Sequence, residues 1–128
     1  MVQSNKLDLI CIEKILRHIQ TIKDACILFN IYDPNDLALN EICQLAVTQA
    51  ITNIYELKQK IQNETINKMI LFSNLKFGLK AARNIASHDY DSLDFGIIYG
   101  LIEKLMRDDL IDELEVVKHG IQQNNSIS

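Results

Sequence analysis

Turn-forming residues are scarce in this chain. It has one proline and four glycines among its 128 residues. A sheet protein of this size needs more turn residues than that, because its many short strands must be joined by tight turns. The scarcity argues against sheet folds and favours helices with short connections.

Membrane and export signals are also lacking. No apolar run approaches the ~20 residues that a membrane-spanning helix needs. The first ten residues do not combine a basic stretch with a following apolar stretch, as a secretory signal peptide does. We therefore expect a cytoplasmic protein without a membrane contact.

The cysteines do not form a disulfide or zinc pattern. There are three of them, Cys11, Cys26 and Cys43, and each stands alone in an apolar context. An odd, scattered set is not a disulfide framework, and no C-x-x-C pair indicates zinc. We expect buried free thiols, no metal site and no cofactor.

Positive charge is not in excess. The formal net charge is -4, so bulk electrostatics do not make the chain a binder of polyanions. A role with nucleic acid would need a local basic patch, or one assembled from two chains.

Apolar residues recur at helical spacing in four segments. They predict helices over residues 6–29, 37–61, 64–85 and 91–120. The predicted N-caps are Ser4 or Asn5, then Asp36, Asn63 and Asp91. Gly120 is the predicted stop of the last helix. The expected fold is all-α, a four- to five-helix up-down bundle in one domain over residues 1–120, with a disordered polar tail over residues 121–128.

Two of these helices carry more apolar surface than a monomeric bundle needs, which is about a third of each helix. The stripe of the second helix begins with Leu39 and Ile42, and further apolar residues widen both helices: Val47, Ile51, Ile97, Ile98 and Ile102. The surplus suggests a buried partner surface, and a homodimer is the simplest case.

Reactive side chains are concentrated just before the last predicted helix. Arg83 is a permanent cation whose planar fork of donors suits phosphate. An imidazole such as that of His88 titrates near neutrality and can move protons at pH 7. Asn84 offers a donor and an acceptor, and Tyr90 offers a hydroxyl. The two nearby aspartates are too few to hold a divalent metal.

The spacing of Arg83 and His88 restricts how they can act together. Five residues apart on one helix, they point roughly 140° apart at ~100° per residue. Both can face one ligand if the helix ends between them, or if a dimer brings two copies of the segment into one cleft. The alternative is structural: Arg83 caps a helix as its C-terminal cation, His88 is a loop histidine and Tyr90 an aromatic at the core edge.

The order Arg83, Asn84, His88, Tyr90 resembles the R-N-x-x-x-H-x-Y signature of the HEPN superfamily. More narrowly, it is similar to that of the HepT-like toxin ribonucleases of HEPN/MNT toxin–antitoxin systems. The resemblance extends over most of the chain, since a long apolar helix precedes the motif and an aspartate-rich helix start follows it.

The resemblance implies a homodimeric, metal-independent endoribonuclease. Arg83 and His88 would be catalytic at the dimer cleft, with Arg83 on the scissile phosphate and His88 as the general acid or base. Asn84 would orient the phosphate or His88. The implied partners are RNA and a minimal nucleotidyltransferase antitoxin, which would attach AMP to Tyr90.

Two other functions stay open. Some HEPN domains serve as non-catalytic, nucleotide-binding or scaffold partners of a nucleotidyltransferase, and the Arg83 and His88 cluster would then bind a nucleotide without cutting RNA. A plain helical dimerisation module is the third possibility.

Overall fold

The computed structural model describes residues 2–64 and 95–127, and these residues form five α-helices and no strand. In chain order the helices are α1 (Val2–Leu28), α2 (Pro34–Ala38), α3 (Glu41–Lys60), α4 (Phe95–Leu105) and α5 (Asp108–Ile127). The predicted all-α class is confirmed for this part of the chain. The predicted helix over residues 64–85 and the predicted helix start at Asp91 lie outside it, apart from Glu64.

An antiparallel pair, α1 and α3, holds most of the described core. Near the end of α1 the free Cys26 thiol lies in hydrogen-bonding contact with the free Cys43 thiol, in the first turn of α3. At the other end of the pair, the backbone N–H of Gln62 donates to Asp8. Each helix contributes an apolar stripe at spacings of three and four residues. The fully buried members are Ile12, Ile15, Ile19, Ile22, Val47, Ile51 and Ile54.

A left-handed residue ends α1. Asn30 has a φ of 56°, and the N–H of Ile31 donates to the carbonyl of Cys26 at 2.9 Å. This is the hydrogen-bond pattern of a Schellman C-cap. Asparagine adopts the left-handed conformation more readily than most residues do, because its short side chain can form local hydrogen bonds. The cap returns Ile31 to the core, where it is buried.

The predicted second helix is interrupted, so a single helix over residues 37–61 is wrong. Asp33 is the N-cap of α2 and accepts a hydrogen bond from the N–H of Asp36 at 2.8 Å. The prediction of Asp36 as N-cap is therefore also wrong. Asn40 then caps α3 and accepts from the N–H of Cys43 at 2.8 Å. Its side chain gives the backbone an alternative to a continuous helix.

Two other predicted helix ends are wrong. The first helix begins at Val2, so Ser4 and Asn5 lie inside it and are not its cap. The last helix continues through Gly120 to Ile127, so Gly120 does not end it. The described residues after Gly120, where we expect a disordered tail, are helical. Ile121 is buried and attaches this last part of α5 to the core.

The predicted fourth helix consists of two helices, α4 and α5. Arg107 lies between them, and its guanidinium forms two bonds to the Asp109 carboxylate, at 2.9 and 3.1 Å. Acidic residues in a first helical turn are favourable because the helix N-terminus carries partial positive charge. The interruption leaves Leu105 and Leu110, on either side of it, fully buried.

Most of the apolar side chains that suggested a partner surface are buried within the chain itself. Val47, Ile51, Ile98 and Ile102 are buried in the core, and Ile97 is the one exposed member of this set. These residues therefore do not support the predicted partner surface.

Among the exposed apolar side chains, which include Leu28 and Val116 on other helices, is a group that we call the α2–α3 apolar corner, formed by Leu39, Ile42 and Leu45. Their exposed fractions are 88%, 67% and 49%. Leu39 and Ile42 belong to the predicted apolar stripe of the second helix, and their exposure shows that this part of the stripe does not pack in the core of the chain. The interruption at Asn40 begins a new helix, and Cys43 rather than Ile42 starts its buried stripe.

Candidate functional site

The residues of the predicted catalytic segment lie outside the described residues: Arg83, Asn84, His88 and Tyr90. In the chain they fall between the end of α3 at Lys60 and the start of α4 at Phe95. Their proposed roles therefore rest on the sequence motif.

The described residues contain a polar groove along the seam between α1 and α3. It has a volume of about 210 Å³ and is lined by Lys14, His18, Asn53, Glu56, Leu57 and Lys60. We call it the α1–α3 groove. No residue of this lining was predicted as part of a site.

Helical spacing puts these side chains together. Lys14 and His18 are four residues apart, one turn of α1, and so lie on the same face. Asn53, Leu57 and Lys60 follow the same spacing on α3. Because α1 and α3 are antiparallel and packed together, their two faces meet along the seam. The buried stripe behind them holds the two walls in register.

The groove is electropositive around His18. The pKa of His18 is lowered, first by its partial burial and then by the nearby charges of Arg17 and Lys14. Burial, with a further contribution from the Asp8 carboxylate, raises the pKa of the Cys11 thiol, and the charges of Lys60 and Lys14 act to lower it. His18 therefore presents a neutral ring at pH 7 among cationic neighbours.

The cysteines are buried and free, as predicted. Burial raises the pKa of Cys43 to about 11, and the adjacent Cys26 thiol adds to the effect. Burial likewise raises the pKa of Cys26. Because the thiolate is the reactive form, these side chains are poor nucleophiles and poor metal ligands at neutral pH.

Within residues 2–64 and 95–127, no group of three or more His, Cys, Asp or Glu side chains is placed to hold a metal ion. Every helix in these ranges falls short of the length and apolar character that a bilayer crossing requires.

Comparison with protein-family models, with curated proteins and with solved structures finds no match to this chain.

The groove was missed because periodicity shows which residues share a helix face but not which faces meet. The sequence signal that could have indicated the groove was Lys14 and His18 on one face of α1, together with Lys60 at the end of α3. Within α1, His18 has only basic neighbours, Lys14 and Arg17, and the packing of α3 adds Asn53 and Lys60.

Proposed function

We propose that this chain is a toxin ribonuclease of the HEPN type, which cuts RNA without a metal ion. The observation that carries the proposal is the order of Arg83, Asn84, His88 and Tyr90, because it combines a phosphate-binding cation, a proton carrier and a modifiable hydroxyl. The helical character of the described residues agrees with it. The buried free thiols agree with the reducing cytoplasm in which such a toxin acts.

The proposed reaction uses the RNA's own nucleophile. The ribose 2′-OH attacks the adjacent phosphorus and loses its proton to a general base, while the 5′-oxygen leaves and takes up a proton. His88 is the group that carries these protons, as base or as acid. Arg83 stabilises the charge that develops on the phosphoryl oxygens, and Asn84 orients the phosphate or the imidazole. The products are a 2′,3′-cyclic phosphate and a 5′-hydroxyl.

The active form is proposed to be a homodimer, in which two copies of the motif face one cleft. The α2–α3 apolar corner supports self-association, because Leu39, Ile42 and Leu45 expose apolar surface at a spacing of three residues. Contiguous exposed apolar patches on soluble proteins mark interaction surfaces. A second copy of the chain is the occupant that the composite cleft requires.

Regulation of RNA cleavage is assigned to modification of Tyr90. A nucleotidyltransferase antitoxin would transfer AMP from ATP to the Tyr90 hydroxyl and release pyrophosphate. The added nucleotide, two residues from His88, would bring negative charge and bulk to the cleft. Both effects oppose the binding of RNA, which is itself a polyanion.

The test is RNA cleavage by Arg83→Ala and His88→Ala variants, with His119→Ala as the matched control. His119 is exposed on α5 and lies near the Gln123 side chain. We expect each motif variant to lose roughly 10²- to 10⁴-fold in activity and the control to keep it. Equal activity in all four proteins would show that the motif is not the catalytic site. RNA binding without cleavage by the unaltered chain would favour the non-catalytic partner instead.

A further inference from the structure

We infer that the α1–α3 groove binds the phosphate backbone of single-stranded RNA through Lys14, His18 and Lys60. The inference rests on the proposed function and adds to it a second RNA contact, on residues outside the catalytic motif. It identifies the substrate-binding surface in the part of the chain where the side chains are described.

The charge of the groove contrasts with that of the whole protein. The net charge is -4, yet Lys14 and Lys60 line one groove and Arg17 lies close beside it. Neither lysine forms a salt bridge with a described residue, whereas Arg107 and Lys118 do. The positive charge of the groove is therefore available to a ligand.

The cations at the groove act on two titratable groups. After burial, Arg17 and Lys14 further lower the pKa of His18. Burial and the Asp8 carboxylate raise the pKa of Cys11, and Lys60 and Lys14 act against them. Glu56 contributes one negative charge to the same lining and has an interaction partner of its own. Counting both lysines and Glu56, the lining keeps a net positive charge at pH 7, where His18 is neutral.

The form of the groove suits a chain of phosphates. Lys14 and Lys60 are exposed at its rim, where ammonium groups can contact phosphate oxygens. His18 and Asn53 are partly buried and offer ring and amide donors. Leu57 adds an apolar surface for a sugar. The lining comes from both helices, so Lys14 on α1 and Lys60 on α3 can each contact a phosphate of one strand.

The experiment measures RNA binding by the full chain with a fluorescent single-stranded oligonucleotide. The oligonucleotide carries 2′-O-methyl groups, so it cannot be cut. The test variant is Lys14→Gln with Lys60→Gln. The matched control is Lys6→Gln with Lys104→Gln, which removes the same charge from two exposed positions outside the groove. A third protein, Lys14→Arg with Lys60→Arg, keeps the charge in the groove.

We expect the glutamine pair in the groove to weaken binding about tenfold at ~50 mM salt. The slope of log affinity against log salt should fall by about 1.4, because each phosphate contact to a single strand contributes about 0.7. The control pair and the arginine pair should bind within about twofold of the unaltered chain. Far-ultraviolet circular dichroism confirms that all variants are folded.

The outcomes separate this inference from the proposed function. If the groove variant and the control variant bind RNA equally well, the α1–α3 groove is not the RNA-binding surface. Cleavage by the unaltered chain would in that case still support the proposed ribonuclease activity. Groove-dependent binding without cleavage supports the groove and contradicts the ribonuclease. If the unaltered chain binds no RNA, both are overturned.

Discussion

Asp8 and Gln62 are joined across 54 positions of the chain. The backbone N–H of Gln62 donates to Oδ1 of Asp8 at 2.9 Å, and the Asp8 side chain is 2% exposed. Gln62 follows α3 directly and stands just before the stretch that contains the proposed catalytic motif. One buried carboxylate on α1 therefore fixes the chain where it leaves the described α1–α3 pair.

This bond predicts a measurable loss of stability. Asp8→Ala leaves the N–H of Gln62 without its acceptor, and we expect the free energy of unfolding in urea to fall by about 1–3 kcal/mol. Asp8→Asn keeps an acceptor oxygen and should lose less. Asp24→Ala is the control, because Asp24 is exposed and accepts a hydrogen bond from the Gln20 side chain on the surface. It should change stability by no more than about 0.5 kcal/mol. A loss of the same size in both alanine variants would show that the Asp8 bond has no special role.

The helical class could be predicted from the sequence because it depends on local properties. One proline and four glycines exclude most turns, and the apolar periodicity identifies the buried faces of α1 and most of α3. The burial of the three free thiols was predicted correctly for the same reason, since Cys11, Cys26 and Cys43 lie on or beside apolar stripes. Such features require no knowledge of which helices pack together.

The helix interruptions and the groove could not be predicted from the sequence. The interruptions depend on whether a side chain continues a helix or caps a new one, and the groove depends on how two helices pack. Asn40 is compatible with a helix interior and with an N-cap, and only the packing of α2 beside α3 favours the cap. The groove requires that α1 and α3 run antiparallel in one register, which places Lys60 near Lys14. Neither relation is contained in the spacing along one helix.

The α2–α3 apolar corner predicts the dimer contact. Ile42→Glu places a charge on that corner, and we expect the dimer to dissociate to a monomer at micromolar concentration, as measured by light scattering after size-exclusion chromatography. RNA cleavage should fall with the dimer, because the proposed cleft needs two chains. Val116→Glu is the control, since Val116 is 71% exposed and lies on a different helix, α5. A monomeric unaltered chain that still cuts RNA would contradict the composite cleft.

The buried thiols predict a dependence of stability on alkaline pH. Because the pKa of Cys43 rises from 9.0 to about 11 on folding, the unfolded chain gives up this proton at lower pH than the folded chain does. Stability contributed by the protonated thiol is therefore present below pH 9 and lost between pH 9 and pH 11. We expect a loss of up to about 2.5 kcal/mol over this window.

Cys43→Ala isolates the thiol contribution from other groups that titrate in the same range. The alanine variant should have a shallower decline of unfolding free energy than the unaltered chain. Iodoacetamide at pH 8 should modify the folded chain only slowly, and rapidly once urea unfolds it. If the free energy of unfolding declines equally with pH in the two proteins, the decline does not come from Cys43.

Tyr90 predicts the mode of control. Tyr90→Phe removes the hydroxyl that would accept AMP and keeps the ring, so the variant should fold, cut RNA and stay toxic when the antitoxin is co-expressed. Intact-mass spectrometry should find AMP on the peptide that contains Tyr90 in the unaltered chain purified with that partner. A matched Tyr32→Phe change, at an exposed tyrosine before α2, should leave both the modification and the neutralisation intact. Neutralisation of the Tyr90 variant would assign inhibition to occlusion of the cleft by the partner.

Metal-free cleavage of RNA is the central claim, and the chemistry of the cut ends tests it most directly. The measurement is mass spectrometry of RNA fragments produced by the purified chain in excess EDTA, with His88→Ala run in parallel. Attack by the 2′-OH predicts fragments that end in a 2′,3′-cyclic phosphate and begin with a 5′-hydroxyl, formed by the unaltered chain and absent with His88→Ala. Cleavage that stops in EDTA and returns with magnesium, or fragments that carry 5′-phosphates, would contradict the account.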